Sequence, residues 1–256
     1  MIRFASLGSG SRGNATIVEV GSSRIMLDCG FSETRFRQRL AQRQLEPSQI
    51  DAILVTHEHS DHIHGVGAVA RKHHIPVYMT RGTAAQEKHG KLTQLHFIDV
   101  HDCFSIGDIE IQAFPVPHDA REPVQFTFGD GAQRLGILTD VGSATPHIIE
   151  MLSGCHGLIL ECNHDVDMLA KGPYPAHLKK RVGGRFGHLS NKQAGELLAN
   201  LDTSSLQHIV AAHISEKNNT EEMACAALAG ALSCTEKEVI VAEQEQGLDW
   251  FEINPA

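Results

Sequence analysis

Val55-Thr56-His57-Glu58-His59-Ser60-Asp61-His62 continues the apolar run Ala52-Ile53-Leu54-Val55. Four side chains able to bind a metal, His57, His59, Asp61 and His62, fall within six residues at what reads as the end of a strand. Imidazole suits zinc, iron or manganese, and a carboxylate serves as ligand or proton acceptor. His57 and His59 are two apart, so in an extended segment they point to one side. Asp61 and His62 follow at a turn and can reach a second position. The chain has 17 histidines, but chance does not readily place them this densely at a strand end. The stretch predicts metal chemistry.

A chain of 256 residues can form one large domain with a well-buried core, or two small ones. No segment approaches the length of a membrane span, and Met1–Gly8 lacks the apolar core of a signal peptide. The six cysteines, Cys29, Cys103, Cys155, Cys162, Cys225 and Cys234, form no CxxC pair and read as reduced thiols of a cytoplasmic protein. A formal net charge of −9 leans against a non-specific nucleic-acid binder. Basic exceptions stand at Arg35–Arg43, Arg71-Lys72 and Lys179-Lys180-Arg181 with Arg185. Bound cations would also make the metal region more positive than the formal count.

Outward from the histidine stretch, strands are predicted at Ile2–Leu7, Ala15–Val20 and Arg24–Leu27. The intervening Gly8-Ser9-Gly10-Ser11-Arg12-Gly13 lacks the Lys-Ser/Thr ending of a phosphate loop and reads as a tight hairpin close to an active site. Helices are expected from Ser32 through Leu40, over Gly65–His73 and over Gly82–Lys91, with a strand at Val77–Thr80. Further strands follow at Ile109–Phe114, Val124–Phe128, Arg134–Leu138 and Gly157–Glu161. Thr145-Pro146 opens a helix through Leu152, and Asp165–Gly187 mixes helix and loop. Ser190 caps Asn191–Leu201, and a strand covers Leu206–Ala212. Asn219 is expected to cap Thr220–Leu232, with Glu222 as its capping-box acid. Glu238–Ala242 and Leu248–Ile253 close an α/β chain read as a single domain over 1–256.

A two-metal site needs more than four protein ligands, and strand ends are where to look for the rest. His118 follows Ile109–Phe114, Asp140 follows Leu135–Thr139, and His213 follows Ile209–Ala212. With the opening cluster they make five His and two Asp, which suits a pair of divalent ions, one carboxylate bridging them.

The order Asp28, His57-x-His59-x-Asp61-His62, His118, Asp140, His213 resembles the five motifs of the metallo-β-lactamase superfamily. The resemblance implies a four-layer αββα sandwich with metals at one edge. It implies His57, His59 and His118 on one ion, Asp61, His62 and His213 on the other, Asp140 bridging, and Asp28 supporting the metal loop by hydrogen bonds. The presence of both His62 and Asp140 departs from the zinc β-lactamases and leans toward the ribonuclease Z, exonuclease and glyoxalase II side. Only about 70 residues separate Asp140 from His213, too few for a separate clamp domain of ordinary size. Further strings are similar to the YycJ (WalJ) branch: Ser6–Asn14, Glu161–Val166, Gly172–Arg181, Gly187–Asn191 and His213–Asn219. That branch implies a single-domain hydrolase acting on DNA, with 5′-exonuclease activity.

The expected chemistry is phosphodiester hydrolysis, a water bridging the two cations attacking phosphorus in line. Asp61 would hold an ion and orient or accept the proton. His188 is the candidate general acid, set before Leu189-Ser190-Asn191 and similar to the non-ligand histidine of ribonuclease Z-type enzymes; the competing reading is a helix-entry residue. His164 could contact substrate, orient a ligand or cap the next segment. Glu161 reads as a buried hydrogen-bonding acid. Lys179, Lys180, Arg181 and Arg185 read either as a solvated helix face or as phosphate contacts. The cofactors expected are two divalent ions, zinc first, with manganese or iron as alternatives. The partner expected is a nucleic acid or other phosphodiester and no membrane; oligomeric state is not legible. Two other readings share the ligands: a glyoxalase II-type thioester or lactone hydrolase, and a non-catalytic protein braced by metal. The latter fits poorly, because structural zinc sites are usually closed and four-coordinate.

Overall fold

The computed structural model describes residues 1–255. Its contacts divide the chain into two compact units. The first takes Met1–Pro115, Ala120–Gln133 and the segment from Glu243 onward; the second takes Val116–Asp119 and Arg134–Ala242.

In the first unit the closing strand Leu248–Ile253 lies beside Ile2–Gly8, which pairs with Ala15–Val20 and then Ser23–Leu27, all antiparallel. The pairing then turns parallel through Ala52–Leu54, Val77–Met79 and Leu95–Phe97. That switch sets up the metal loop. Leu27 is in register with Leu54, and the Asp28 N–H donates to the Leu54 carbonyl at 2.8 Å, so the residues after both strands emerge side by side. Beneath them Ile17, Met26, Phe36, Leu40, Ile53 and Val69 are buried in one apolar cluster. Cys103–Ile106, Ile109–Pro115 and Val124–Gly129 form an antiparallel meander.

The helix Glu33–Gln42 changes the meaning of one basic stretch. Arg39 is buried, lies 4.4 Å over the Phe31 ring, and donates to the carbonyls of Leu7, Gln244 and Glu245. Arg43 donates likewise to Leu248 and Ser6. These guanidiniums staple chain ends together and are not available to nucleic acid. The helix expected over Gly82–Lys91 is a single turn, Arg81–Ala84. Glu87 and Gly90 both take positive φ, and Arg71 donates to the carbonyls of His89 and Lys91, so those groups are satisfied without a helix. Leu95–Phe97 and Cys103–Ile106, unassigned from sequence, are short strands with exposed residues and a weak apolar pattern.

The second unit carries four parallel strands in the order Arg134–Leu138, Gly157–Glu161, His208–Ala212, Val239–Val241. Its helices are Pro146–Leu152, Val166–Lys171, Ala176–Val182, Asn191–Ala199 and Glu221–Leu232. Ser190 closes a reciprocal capping box with Gln193. The last helix is capped by Thr220, whose hydroxyl accepts from the Met223 N–H, and not by Asn219. The Asn219 amide is engaged elsewhere, paired with Asn191 at 2.7 and 2.8 Å and donating to the Cys162 carbonyl. No helix among the described residues is long and apolar enough to cross a membrane.

All six cysteines are free thiols. Burial pushes the Cys29 thiol up to about 12 and raises Cys155, Cys162 and Cys225 as well. Only the thiolate reacts. A disulfide dye should therefore label exposed Cys103 and half-buried Cys234 quickly, the remaining thiols only on unfolding; rapid labelling of more than two would contradict this burial.

Candidate metal centre

Four of the seven expected ligands lie in the first unit, around Asp28. This carboxylate accepts from the Thr56 N–H and from the Thr56 hydroxyl, each at 2.8 Å, and faces His62 Nδ1 at 2.8 Å. A carboxylate oxygen only accepts, so His62 Nδ1 carries the proton and Nε2 the lone pair. Asn14 agrees: its Nδ2, a donor only, lies 3.1 Å from His62 Nε2. Because the Thr56 hydroxyl donates to Asp28, it accepts from His57 Nδ1 at 2.9 Å, leaving His57 Nε2 bare too. One buried acid thus sets the tautomer of two histidines, the usual way a protein aims imidazole at a cation. The rings converge, His57 lying 4.6 Å from His59 and 4.2 Å from His62 between centroids. Asp61 and His62 sit in the short helix Ser60–Ile63, with Asp61 Oδ2 3.5 Å from His62 Nε2. Gly30 permits this packing, since a Cβ there would stand 1.9 Å from the Asp61 carbonyl oxygen.

The other three expected ligands lie in the second unit. Asp140 and His213 follow two strands of the parallel set, and His213 Nδ1 is 3.0 Å from Asp140 Oδ2. Burial disfavours a charged His213, but the charge and hydrogen bond of Asp140 outweigh it and raise the imidazole above its ordinary value. His118 Nε2 lies 3.9 Å from Asp140 Oδ1, and its Nδ1 faces the Gly187 carbonyl at 3.0 Å, so Nε2 is again the lone-pair atom. Asp28, Asp140 and His213 all adopt φ between 52° and 60°. Non-glycine residues pay for that left-handed backbone, and such strain gathers at functional sites.

Glu161 is fully buried at the end of its strand. It accepts from the N–H groups of Asp140 and Val141 at 3.1 Å and of Leu189 at 2.9 Å, and faces His188 Nδ1 at 2.8 Å. With both oxygens so engaged, Glu161 is a strut between the Asp140 loop and His188. His188 therefore carries a proton at Nδ1; its ring is 5.3 Å from those of His118 and His213. Asp140, Glu161, His188 and His213 offer ligand atoms within 4.8 Å of one another. Oxygen and imidazole donors, all but His188 buried and the rings oriented by neighbours, fit a divalent cation.

The chain compares closely with known proteins. A family model described as a beta-lactamase superfamily domain matches residues 23–214. The exodeoxyribonuclease YycJ of Bacillus anthracis is 37% identical over 227 residues, covering 87% of this chain and 86% of its own length. The exodeoxyribonuclease WalJ of Streptococcus pneumoniae is 34% identical over 87% of this chain and 85% of its own length. The chain belongs to the metallo-β-lactamase superfamily, in its YycJ (WalJ) branch. Among solved structures, the metallo-β-lactamase fold protein YhfI of Bacillus subtilis superposes with a TM-score of 0.77 at 16% identity, over 98% of this chain and all of that one. The fold is the αββα sandwich of the superfamily.

Within this metallo-β-lactamase frame the remaining candidates separate. His164 is buried, its carbonyl accepts from the Asn191 N–H, and desolvation lowers its imidazole below the ordinary value. Lys179 donates to the Ala170 carbonyl, and Arg181 pairs with Asp119, whose other oxygen is 3.5 Å from His118 Nε2. Lys180 and Arg185 are exposed. Sequence reasoning assigned no role to Asn14, Thr56 or Asp119. The glycine turn before Asn14, placed near the site on other grounds, was the one available pointer to it.

Proposed function

We propose that the whole chain works as one two-metal phosphodiesterase, a nuclease acting on DNA from the 5′ end. The names of its YycJ and WalJ relatives support the substrate class. In this reading His57, His59 and His118 hold one ion, Asp61, His62 and His213 the other, and Asp140 joins them. Zinc is the metal proposed, with manganese or iron as alternatives. When bound, such a pair supplies an acidified water and positive charge for the phosphoryl oxygens. Asp61 would hold an ion and orient or accept the proton of the attacking water. Asp28 keeps His57 and His62 turned with Nε2 forward.

The observation that carries the phosphodiesterase reading is the Glu161–His188 pair, His188 Nδ1 lying 2.8 Å from Glu161 Oε1. A sugar alkoxide is a poor leaving group and needs a proton in the transition state; a thiolate leaves without one. An imidazole whose Nδ1–H is held by a buried carboxylate can carry a second proton on Nε2, its positive charge balanced by Glu161, and deliver that proton to the departing alkoxide; such a donor is idle for the second need. A cytoplasmic setting is proposed on the six free thiols.

The test is turnover by the metal-loaded protein on 5′-phosphorylated DNA and RNA oligomers, on bis-p-nitrophenyl phosphate and on a thioester. Cleavage of the DNA oligomer that a chelator abolishes and added metal restores is the expected result. Thioester hydrolysis with no phosphodiester cleavage would transfer the chain to the glyoxalase-type reading.

A further inference from the structure

We propose that Phe186 and Arg185 form a stacking and phosphate platform for single-stranded nucleic acid at the rim of the His118–Asp140–His188 group. The proposal rests on the nuclease reading above and names how that substrate is gripped.

The backbone from Arg185 to Gly187 is pinned to the site. The Asp119 N–H donates to the Phe186 carbonyl at 2.9 Å, and Gly187 O faces His118 Nδ1. Ser143 Oγ donates to the Arg185 carbonyl at 3.3 Å. Gly142 packs so closely that a Cβ there would stand 2.3 Å from that same oxygen. While the main chain is held, the side chains of both residues are exposed, Phe186 by 55%. A large aromatic fixed on a rigid backbone two residues before His188, yet left in water, contributes little to the core and presents a flat apolar face to incoming ligand. Arg185 lies 6.0 Å over its ring, at the outer limit of a cation–π contact.

Charge selects the partner. Ala176–His188 contains Lys179, Lys180, Arg181 and Arg185 and no acid, in a chain of formal net charge −9. The helix Ala176–Val182 buries none of its residues, which leaves Lys180 open to solvent on this rim. Exposed cations beside an exposed aromatic are the elements of single-strand recognition, the cations following phosphates and the ring taking a base.

The test is fluorescence anisotropy of a labelled single-stranded DNA oligomer with uncleavable phosphorothioate linkages, titrated with the metal-loaded protein across a salt series. Phe186→Ala should weaken binding about tenfold and Phe186→Trp should preserve it. Phe97→Ala, removing an aromatic of 47% exposure elsewhere, should leave it unchanged. Lys180→Ala and Arg185→Ala should each lower the slope of log affinity against log salt by about 0.7. Binding by Phe186→Ala within twofold of the native protein overturns the platform, even where the native protein cleaves DNA. A native protein that binds the oligomer through Phe186 but cleaves no DNA leaves the platform standing and removes the nuclease reading. Failure of the native protein to bind overturns both.

Discussion

His188→Ala should lower turnover of a DNA oligomer by a factor of about 10²–10⁴, the usual worth of a general acid, with metal content unchanged. The same variant should lose only a few-fold on bis-p-nitrophenyl phosphate. Nitrophenolate departs unprotonated, so a missing proton donor matters little there, whereas a missing ligand would disable both substrates alike. Two features of the structure set this expectation. Glu161 is fully occupied by three backbone N–H groups and His188 Nδ1, which fixes the ring through Nδ1 and leaves the other nitrogen to carry the transferable proton. His188 is also partly open to solvent, with 21% of its side chain exposed, unlike the buried His118 and His213 proposed as ligands, so a leaving group can reach it. Elemental analysis together with turnover on the two substrates decides the matter. Lost metal, or equal losses on both substrates, would make His188 a ligand instead.

Asp28→Ala should cost about 3–5 kcal/mol of stability and weaken metal binding by about 10–100-fold. The carboxylate is 3% exposed and answers three donors, the Thr56 N–H and hydroxyl and His62 Nδ1–H. Thr56 and His62 are themselves fully buried, so each donor left unanswered carries a desolvation penalty of about 1–3 kcal/mol. The loss also reaches the metal, because His62 and, through Thr56, His57 would no longer be held in the tautomer that bares Nε2. Asp28→Asn tolerates the positive φ but offers only one acceptor oxygen to three donors, so it should fall between the native protein and the alanine variant. Urea unfolding and competition with a chromogenic chelator measure the two effects. A normal unfolding midpoint with normal zinc affinity in Asp28→Ala would refute this account of the metal loop.

Much of this was legible in the sequence because the signals are local. Apolar runs ending in a single polar residue pick out strands, and their ends pick out His57, His118, Asp140 and His213. The order of those residues also pointed to the αββα fold that the family match bears out. Legibility failed where a residue's partner is far along the chain. Arg39 and Arg43 sit in a run that looks like a nucleic-acid patch, yet their partners are carbonyls roughly 200 residues away, as the separations of 205 for Gln244 and Leu248 show. Asn219 reads as a cap until Asn191 claims its amide. Nothing in the sequence singles out Phe186; its 55% exposure does.

The metal-binding stretch Val55–His62 by itself determined the kind of chemistry, since ligand type and spacing are properties of a few consecutive residues. The tertiary structure decided the protonation and aim of the His62, His118 and His188 rings. Whether an imidazole offers Nδ1 or Nε2 depends on the atom facing its other nitrogen. Those atoms come from Asp28, Gly187 and Glu161, brought close by strand pairing and loop packing and not by proximity in sequence.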